Sequence, residues 1–207
     1  MRADAKLPLL LLAIVAAVLA WSAIAPADRA TWWAEVAPVL IGVPIMLATF
    51  RRHPLTPLLY TLIAIHCVIL VVGGQYTYAK VPLGFWMQEW FDFTRNHYDR
   101  IGHFAQGFVP AILAREVLLR STPLRRGGWL FFIVVSICLA FSAFYELIEW
   151  TAAVSAGEGA DAFLGTQGDE WDAQKDMLLA LIGAIVALLT LARWHDRQLA
   201  RVARHAA

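Results

Sequence analysis

Ionisable side chains occur near one end of three apolar segments of this chain. One segment opens with YDRIGHFAQGF, in which Asp99, His103 and Gln106 are spaced i, i+4 and i+7 and therefore share one helix face. Another ends with SAFYELIEW, which places Glu146 and Glu149 three residues apart after a long run without charge. Carboxylates and an imidazole inside apolar segments indicate a polar site within a membrane domain.

A third segment begins GDEWDAQKDM and carries Asp169, Asp172 and Asp176 on one face, at i, i+3 and i+7. At a rise of about 1.5 Å per residue, Asp176 lies about one turn inside its helix, at the same depth as His103 and Glu146. Ionisable groups at this depth are costly unless they face the bundle interior and bind one another or a ligand. We therefore expect the three helices to meet at this level.

One histidine beside several carboxylates is a ligand set that suits a divalent cation such as Mn²⁺, Fe²⁺, Zn²⁺ or Mg²⁺. The pattern predicts His103, Glu146 and Asp176 as metal ligands, and Glu146, Glu149 and Asp176 as candidate catalytic acid or base groups. The residues expected to surround and orient them are Asp99, Gln106 and Asp172. A bound metal would activate water for hydrolysis or transfer on an envelope lipid, with one carboxylate as base.

Two other interpretations of these acids remain open. They could serve a proton- or ion-linked transporter, although the middles of the first, second and sixth apolar segments carry almost no polar residues and no inverted repeat is visible. They could also form a structural or partner-binding network, in which Arg95, Arg100 or Lys175 neutralises the glutamates. Asp169 and Asp172 also suit a helix N-cap and its first turn.

The composition places these side chains in an integral membrane protein. The chain has 207 residues, of which 60% are hydrophobic and 16% charged, and its mean hydropathy is +0.61. A soluble domain of this length rarely contains so much apolar residue. The formal net charge of +1 gives no field that would attract nucleic acid. Cys67 and Cys138 lie in apolar runs, which indicate neither a disulfide framework nor a metal motif.

Six segments are candidates for transmembrane helices, which need about 20 residues each. They lie near 7–25, 33–50, 55–73, 100–119, 129–151 and 173–192, and the fourth is the least apolar. Because lipid offers no partners to free backbone groups, the predicted fold is all-α, a single integral membrane domain over 1–207 with about six transmembrane helices. The first segment has the basic start of a signal peptide, but Pro26 after its small residues disfavours cleavage, so a retained helix is expected.

Two longer connections complete the predicted bundle. The pair Gly73–Gly74 is expected to end the third helix, and the following LGFWMQEWFDF carries the aromatic residues typical of an interfacial helix at the headgroup level. The connection 155–171 contains four glycines and is expected to be irregular.

The basic residues predict the orientation of the bundle. Counting Arg115, 12 of the 17 Lys and Arg residues fall on the side of the N-terminus, the loops 51–53 and 120–126 and the C-terminal tail, whereas most acids fall on the other side. Under the positive-inside rule both termini are cytoplasmic and the candidate site faces outward. The tail RWHDRQLARVARHAA is expected to anchor on anionic headgroups. Arg115 and Glu116 are expected to snorkel or to pair with Arg120.

Several strings resemble the YjdF-type family of bacterial inner-membrane proteins, namely YTYAKVPLGFW, RNHYDRIGHFAQGFVPAILAREVLLR, SAFYELIEW and GTQGDEWDAQKDMLLALIGA. The resemblance covers roughly residues 50–195 and implies a multi-pass protein of the bacterial inner membrane, but no activity, since the family is a domain of unknown function. Its relatives often carry His just before the YTY stretch, where this chain has Gln75, and that difference would weaken a metal site. A more distant resemblance to VanZ-type membrane proteins rests on Asp172, Asp176 and Gly183.

Overall fold

The computed structural model describes residues 5–156 and 167–206, and within these ranges the chain forms seven helices and no strand. In chain order they are α1 (Lys6–Ser22), α2 (Arg29–Thr49), α3 (Pro57–Tyr76), α4 (Pro82–Phe91), α5 (Tyr98–Ser121), α6 (Gly128–Ala156) and α7 (Asp172–Ala206). The predicted all-α fold is confirmed. The middle of the connection predicted to be irregular, 157–166, lies outside the described residues.

Four of the helices in the described ranges are long and apolar enough to cross a membrane. They are Arg29–Thr49, Pro57–Tyr76, Gly128–Ser155 and Asp172–Val202. Helix α1 is apolar but has only 17 residues. Helix α5 has 24 residues, but it carries five charged side chains between Asp99 and Arg120. The structure thus identifies four candidate spans among the six predicted segments.

The starts of α2 and α3 follow from local capping. The Asp28 carboxylate accepts a hydrogen bond from Thr31 N at 2.7 Å, which starts α2 and holds the pKa of Asp28 below its usual value. Thr56 caps α3 in the same way, and Pro57 occupies the first helical turn, where its missing N–H is tolerated.

Helix α3 continues through Gly73–Gly74 to Tyr76, so the break expected at the glycine pair is wrong. These glycines instead allow close packing. A Cβ on Gly73 would overlap the ring of Tyr78, and a Cβ on Gly74 would lie 3.1 Å from Cβ of Glu35. The helix ends where Thr77 adopts a left-handed conformation, with φ of 57°.

Helices α5 and α7 form the most extensive helix pair in the described chain. At their crossing, Gly107 lies against the backbone of Ala180, and Gly183 lies against the backbone of Phe104 and Phe108. Small residues allow helix backbones to approach closely, as is common in membrane proteins. Next to the crossing is a buried apolar core with members from α3, α5, α6 and α7: Leu59, Ala111, Ile112, Leu130, Val134, Cys138, Ala184, Ala187 and Leu188.

A second apolar core joins the first three helices. Its buried members are Val15, Trp32, Val36, Val39, Ala64, Cys67 and Val71. The indole N–H of Trp32 donates to Ser22 Oγ at 3.0 Å, which ties the end of α1 to α2 inside this core. Helix α1 is thus packed into the bundle.

Hydrogen bonds between connections show that the six longer helices alternate in direction. Ala27 N donates to Gln75 O at 2.9 Å, and the Gln75 amide donates to Ala25 O at 2.8 Å, so the end of α3 lies beside the α1–α2 connection. At the opposite end, Arg126 before α6 donates to Asp196 of α7 at 2.8 Å. We call these the acidic end and the basic end of the bundle, after the charges in their connections.

The predicted helix in the aromatic stretch is present as α4, with ten residues. It exposes Trp86, Trp90 and Phe91. The buried side chain of Asn96 fixes it to α5, because its Nδ2 donates to Val81 O at 3.0 Å and its Oδ1 accepts from Tyr98 N at 3.0 Å. The location of α4 at a membrane surface stays a prediction.

Candidate functional site

The acidic end brings together side chains of α5, α6 and α7 around His103. The imidazole Nε2 lies 3.4 Å from Asp99 Oδ1 and 3.9 Å from Asp176 Oδ2. The other ring nitrogen, Nδ1, lies 3.6 Å from Glu146 Oε1. We call Asp99, His103, Glu146 and Asp176 the acid cluster. Its helices meet at one level, as the matching depths of these residues in the sequence suggested.

Gln106 orients the imidazole. Its Oε1 lies 2.9 Å from His103 Nδ1, and because an amide oxygen only accepts hydrogen bonds, Nδ1 carries a proton and donates it. This leaves Nε2 directed at the two aspartates. A histidine that donates from one nitrogen and presents the other is the usual arrangement of a metal ligand.

Asp99, His103 and Asp176 could hold a metal ion, because one ligand atom from each lies within 4.8 Å of the others. A tetrahedral ion with bonds of about 2.0–2.2 Å places its ligand atoms about 3.4 Å apart. The two separations from Nε2, 3.4 and 3.9 Å, are close to that value. All three residues are buried, with exposed fractions of 9%, 6% and 2%.

Glu146 of α6 lies at the opposite edge of the imidazole from the two aspartates. Glu146 meets the Nδ1 edge of His103, whereas Asp99 meets the Nε2 edge beside Asp176. Asp99 thus lies closer than Glu146 to the Nε2 edge, and the ligand role predicted for Glu146 stays a prediction. Glu146 Oε1 is buried and has no hydrogen-bond partner among the described residues, while Glu149 is half-buried one turn further along α6. A buried carboxylate oxygen without a partner is costly, and a bound water, an ion or a functional role can account for it.

Two arginines neutralise the aspartates nearest the start of α7. Arg100 contacts both Asp172 and Asp176, and Arg95 lies 3.0 Å from Asp172. Arg100 binds Asp176 through Oδ1, which leaves Oδ2 directed at His103. Salt bridges to Arg95 and Arg100 thus neutralise the charge of Asp172. The two arginines pair with aspartates of α7 rather than with the glutamates of α6.

Asp169 has the capping role that its position suggested. Its Oδ1 accepts from Trp171 N at 3.1 Å in the turn before α7, and its Oδ2 accepts from Lys175 Nζ at 2.6 Å. The hydrogen bond from Lys175 holds the pKa of Asp169 below its usual value. Asp169 therefore stabilises the start of α7 and lies outside the acid cluster.

Glu35 of α2 is a further acid at this end and was not among the predicted site residues. It is 6% exposed, and its Oε2 accepts a hydrogen bond from the Tyr145 hydroxyl at 3.3 Å. Tyr145 directly precedes Glu146, so Glu35 extends the polar region from α6 to α2. A signal was available, since Glu35 is the only charged residue in α2 after Arg29.

A second polar network lies at the basic end and is completely buried at its centre. His195 Nε2 lies 2.9 Å from Glu116 Oε2, and its Nδ1 lies 2.9 Å from an Arg115 nitrogen. Because arginine only donates, Nδ1 accepts and Nε2 donates to Glu116. Arg115 also donates to Asp196 at 2.7 Å. The expectation that Arg115 snorkels is therefore wrong, since it is 4% exposed and bound within the protein.

Glu116 joins this network to α3. It accepts from Thr56 N at 3.1 Å and from Thr56 Oγ1 at 2.8 Å, and it accepts from Arg120 at 2.8 Å, so the predicted pairing with Arg120 is confirmed. The carboxylate has four protein donors and an exposed fraction of 0%. We interpret this network as a structural connection of α3, α5 and α7, because its donors and acceptors satisfy one another.

An apolar cavity of about 110 Å³ lies between α1, α2 and α3. None of its lining residues belongs to the acid cluster or to the network at the basic end. The outward pocket expected from the sequence stays a prediction.

Comparison with known proteins places the chain in a family. The model of the family described as "Predicted membrane protein (DUF2238)" matches residues 7–197. The "Inner membrane protein YjdF" of Escherichia coli strain K12 is 57% identical over 184 residues, which cover 89% of this chain and 88% of that protein. No solved structure matches the chain. The resemblance noted from the quoted strings is confirmed, and the chain belongs to the DUF2238 family of predicted membrane proteins.

Proposed function

We propose that this chain is a multi-pass protein of the bacterial inner membrane, with a single membrane domain and both termini in the cytoplasm. Its relative in Escherichia coli carries the name of an inner membrane protein. Four helices satisfy the length and hydropathy of a span. Helix α1 packs against α2 and α3 and, at 17 residues, reaches the lower limit for a span.

Helix α5 completes the set of six membrane spans in this proposal. Its buried charged residues, Asp99, Arg115 and Glu116, are bound by other helices and so need not face lipid. Charged residues in membrane helices usually face the bundle interior and pair there. The basic loops then lie in the cytoplasm by the positive-inside rule, and the acidic end faces outward.

The acid cluster at the outward end is the proposed functional site, and it binds a divalent metal through Asp99, His103 and Asp176. The observation that carries this proposal is the arrangement of three ligand atoms within 4.8 Å, with His103 held by Gln106. Glu146 Oε1 lies at the other edge of His103 and accepts no hydrogen bond from the described residues, so it has room for a further polar partner beside the metal ligands.

The chemistry proposed for this site is hydrolysis or transfer on an envelope lipid. A bound metal would supply an activated water molecule at neutral pH. Glu146 is the candidate base, because its Oε1 lies 3.6 Å from His103 and accepts no hydrogen bond within the described chain. A lipid substrate is favoured because the cluster lies about one turn inside the helix ends, close to the outer headgroup level.

Metal analysis of the detergent-purified protein tests the proposal. The wild type is compared with His103→Ala and Asp176→Asn, after loading with Zn²⁺ or Mn²⁺ and removal of free metal. Glu170→Gln is the matched control, since Glu170 is an exposed acid near the start of α7. We expect near-stoichiometric metal in the wild type and control, and its loss in both cluster variants. A folded wild type without metal would contradict the proposal.

A structural role is the second candidate, because Arg95 and Arg100 already neutralise Asp172 and Asp176. Under this alternative, metal would not change the stability of the wild type, whereas His103→Ala would lower it. Transport has less support. Between the acid cluster and the network at the basic end, α5 and α7 are packed through Gly107, Gly183 and the apolar core.

A further inference from the structure

The apolar cavity between α1, α2 and α3 lies in the half of the bundle next to the basic end. Its lining includes Val43 and Met46 from the last turns of α2, Phe50 directly after that helix, and Tyr60 and Ile63 from the first turns of α3. These helix ends meet at the α2–α3 connection, which belongs to the basic end. The cavity is thus separate from the acid cluster at the other end.

The cavity is suited to part of a hydrocarbon chain. Its volume of about 110 Å³ is somewhat smaller than that of an engineered apolar cavity of about 150 Å³ that binds benzene. Leu9 and Leu47 line its edge and are 60% and 56% exposed, so the cavity opens sideways on the outer surface of the bundle. A hydrocarbon chain lying on this surface could place one section inside the cavity without entering the protein core.

Two positively charged residues directly follow a cavity-lining residue in the sequence. Arg51 and Arg52 come immediately after the lining residue Phe50, and both side chains are exposed. Neither has an acidic partner within the described ranges of the chain. An apolar slot with two exposed arginines next to a lining residue in the chain matches an amphiphile with one hydrocarbon chain in the slot and an anionic group near the arginines.

We propose that this cavity binds an acyl chain of an anionic phospholipid of the cytoplasmic leaflet, with Arg51 and Arg52 at its headgroup phosphate. The leaflet assignment rests on the proposed orientation with both termini in the cytoplasm, and it does not depend on a metal at the acid cluster. Guanidinium groups suit this role because they form paired hydrogen bonds to phosphate oxygens. The cavity adds selectivity for a lipid over a soluble phosphate.

Lipid retention tests the proposal. The full chain is reconstituted in bilayers of equal phosphatidylglycerol and phosphatidylethanolamine, extracted in mild detergent, washed, and analysed for retained lipid by mass spectrometry. The variants are Arg51→Ala/Arg52→Ala, which removes the charges, and Ala64→Leu, which adds volume at a cavity-lining residue. Arg125→Ala is the control, since Arg125 is an exposed arginine of the basic end that lies outside the C-terminal tail and lines no part of the cavity.

We expect the wild type and control to retain phosphatidylglycerol in preference to phosphatidylethanolamine. Removal of both Arg51 and Arg52 should lower that preference about thirtyfold, since each basic residue near the membrane contributes a factor of about five to the binding of anionic lipid. Ala64→Leu should reduce retention of both lipids, and its thermal unfolding in detergent shows whether it folds. Equal retention of the two lipids by the wild type, or unchanged preference in the double-arginine variant, would overturn the proposal.

A separate measurement distinguishes failure of the orientation from failure of lipid binding. Arg52→Cys in intact cells is treated with a thiol reagent that does not cross the inner membrane. Protection from the reagent supports the cytoplasmic leaflet. Labelling would refute that leaflet, while the retention experiment would still decide whether the cavity and its arginines bind lipid.

Discussion

The crossing of α5 and α7 gives a sharp prediction, because Gly107 sits where two helix backbones meet. A Cβ at this position would lie 2.7 Å from Cα of Ala180 and closer still to the carbonyl group of Ala180. Ordinary contact begins at 3.4 Å, so the carbon pair alone requires the helices to separate by 0.7 Å or more. A backbone cannot avoid this contact by changing a rotamer. Gly107→Ala must therefore move one helix or bend it.

The expected effect combines two opposing terms. Overpacking of a well-packed core costs about 1–3 kcal/mol, and a contact with backbone belongs at the upper end of that range. Replacing glycine by alanine inside a helix returns up to about 1 kcal/mol of helix propensity. We expect Gly107→Ala to lower the free energy of unfolding by about 2 kcal/mol. The same separation moves His103 away from Asp176, so we also expect weaker metal retention at the acid cluster.

The assay is equilibrium unfolding of the detergent-solubilised protein by a denaturing detergent, followed through the fluorescence of its nine tryptophans. Gly42→Ala is the matched control, because Gly42 lies within α2 and a Cβ there would meet nothing within 4 Å. This control should be unchanged or slightly more stable than the wild type. If Gly107→Ala unfolded like the control, the backbone contact between α5 and α7 would be refuted.

Three further predictions concern the ends of the bundle. Glu116→Gln removes the buried charge that pairs with Arg120, and we expect a loss of about 3 kcal/mol in the same titration, because this ion pair is left with one partner. Asn96→Ala leaves buried backbone groups without partners, so proteolysis of the connection around α4 should become faster. Lys175 holds the pKa of Asp169 below 3.8, so this carboxylate should stabilise the fold at neutral pH and lose that effect as pH falls through the lowered pKa. The unfolding temperatures of the wild type and Asp169→Asn should therefore differ at neutral pH and converge in acid.

Much of the helical architecture follows from the sequence, because an apolar run long enough for a membrane leaves the backbone few alternatives to a helix. The predicted segments 33–50 and 129–151, for example, correspond to α2 at Arg29–Thr49 and α6 at Gly128–Ala156. The end of α3 was placed wrongly, because the Gly73–Gly74 pair was interpreted as a helix break. Glycine in a membrane helix also serves close packing, and only the neighbouring side chains of Tyr78 and Glu35 distinguish the two uses.

The depth of the candidate site was also available from the sequence, since a constant rise per residue relates the positions of His103, Glu146 and Asp176 along their helices. Glu35 could have been found by the same reasoning, as a lone acid in an apolar segment. The spacing of residues therefore determines which polar groups share a level.

The tertiary structure alone decided which of these groups touch. Helix rotation and side-chain rotamers bring Asp99 to Nε2 of His103 and Glu146 to Nδ1, and they bring Arg100 to the aspartates of α7. They also bury His195 of the tail against Glu116, although 79 residues separate the two in the chain. Spacing along one helix defines a face and a depth but contains no information on the rotation of its neighbours. Contacts between helices are therefore decided by packing, here by the close crossing of α5 and α7.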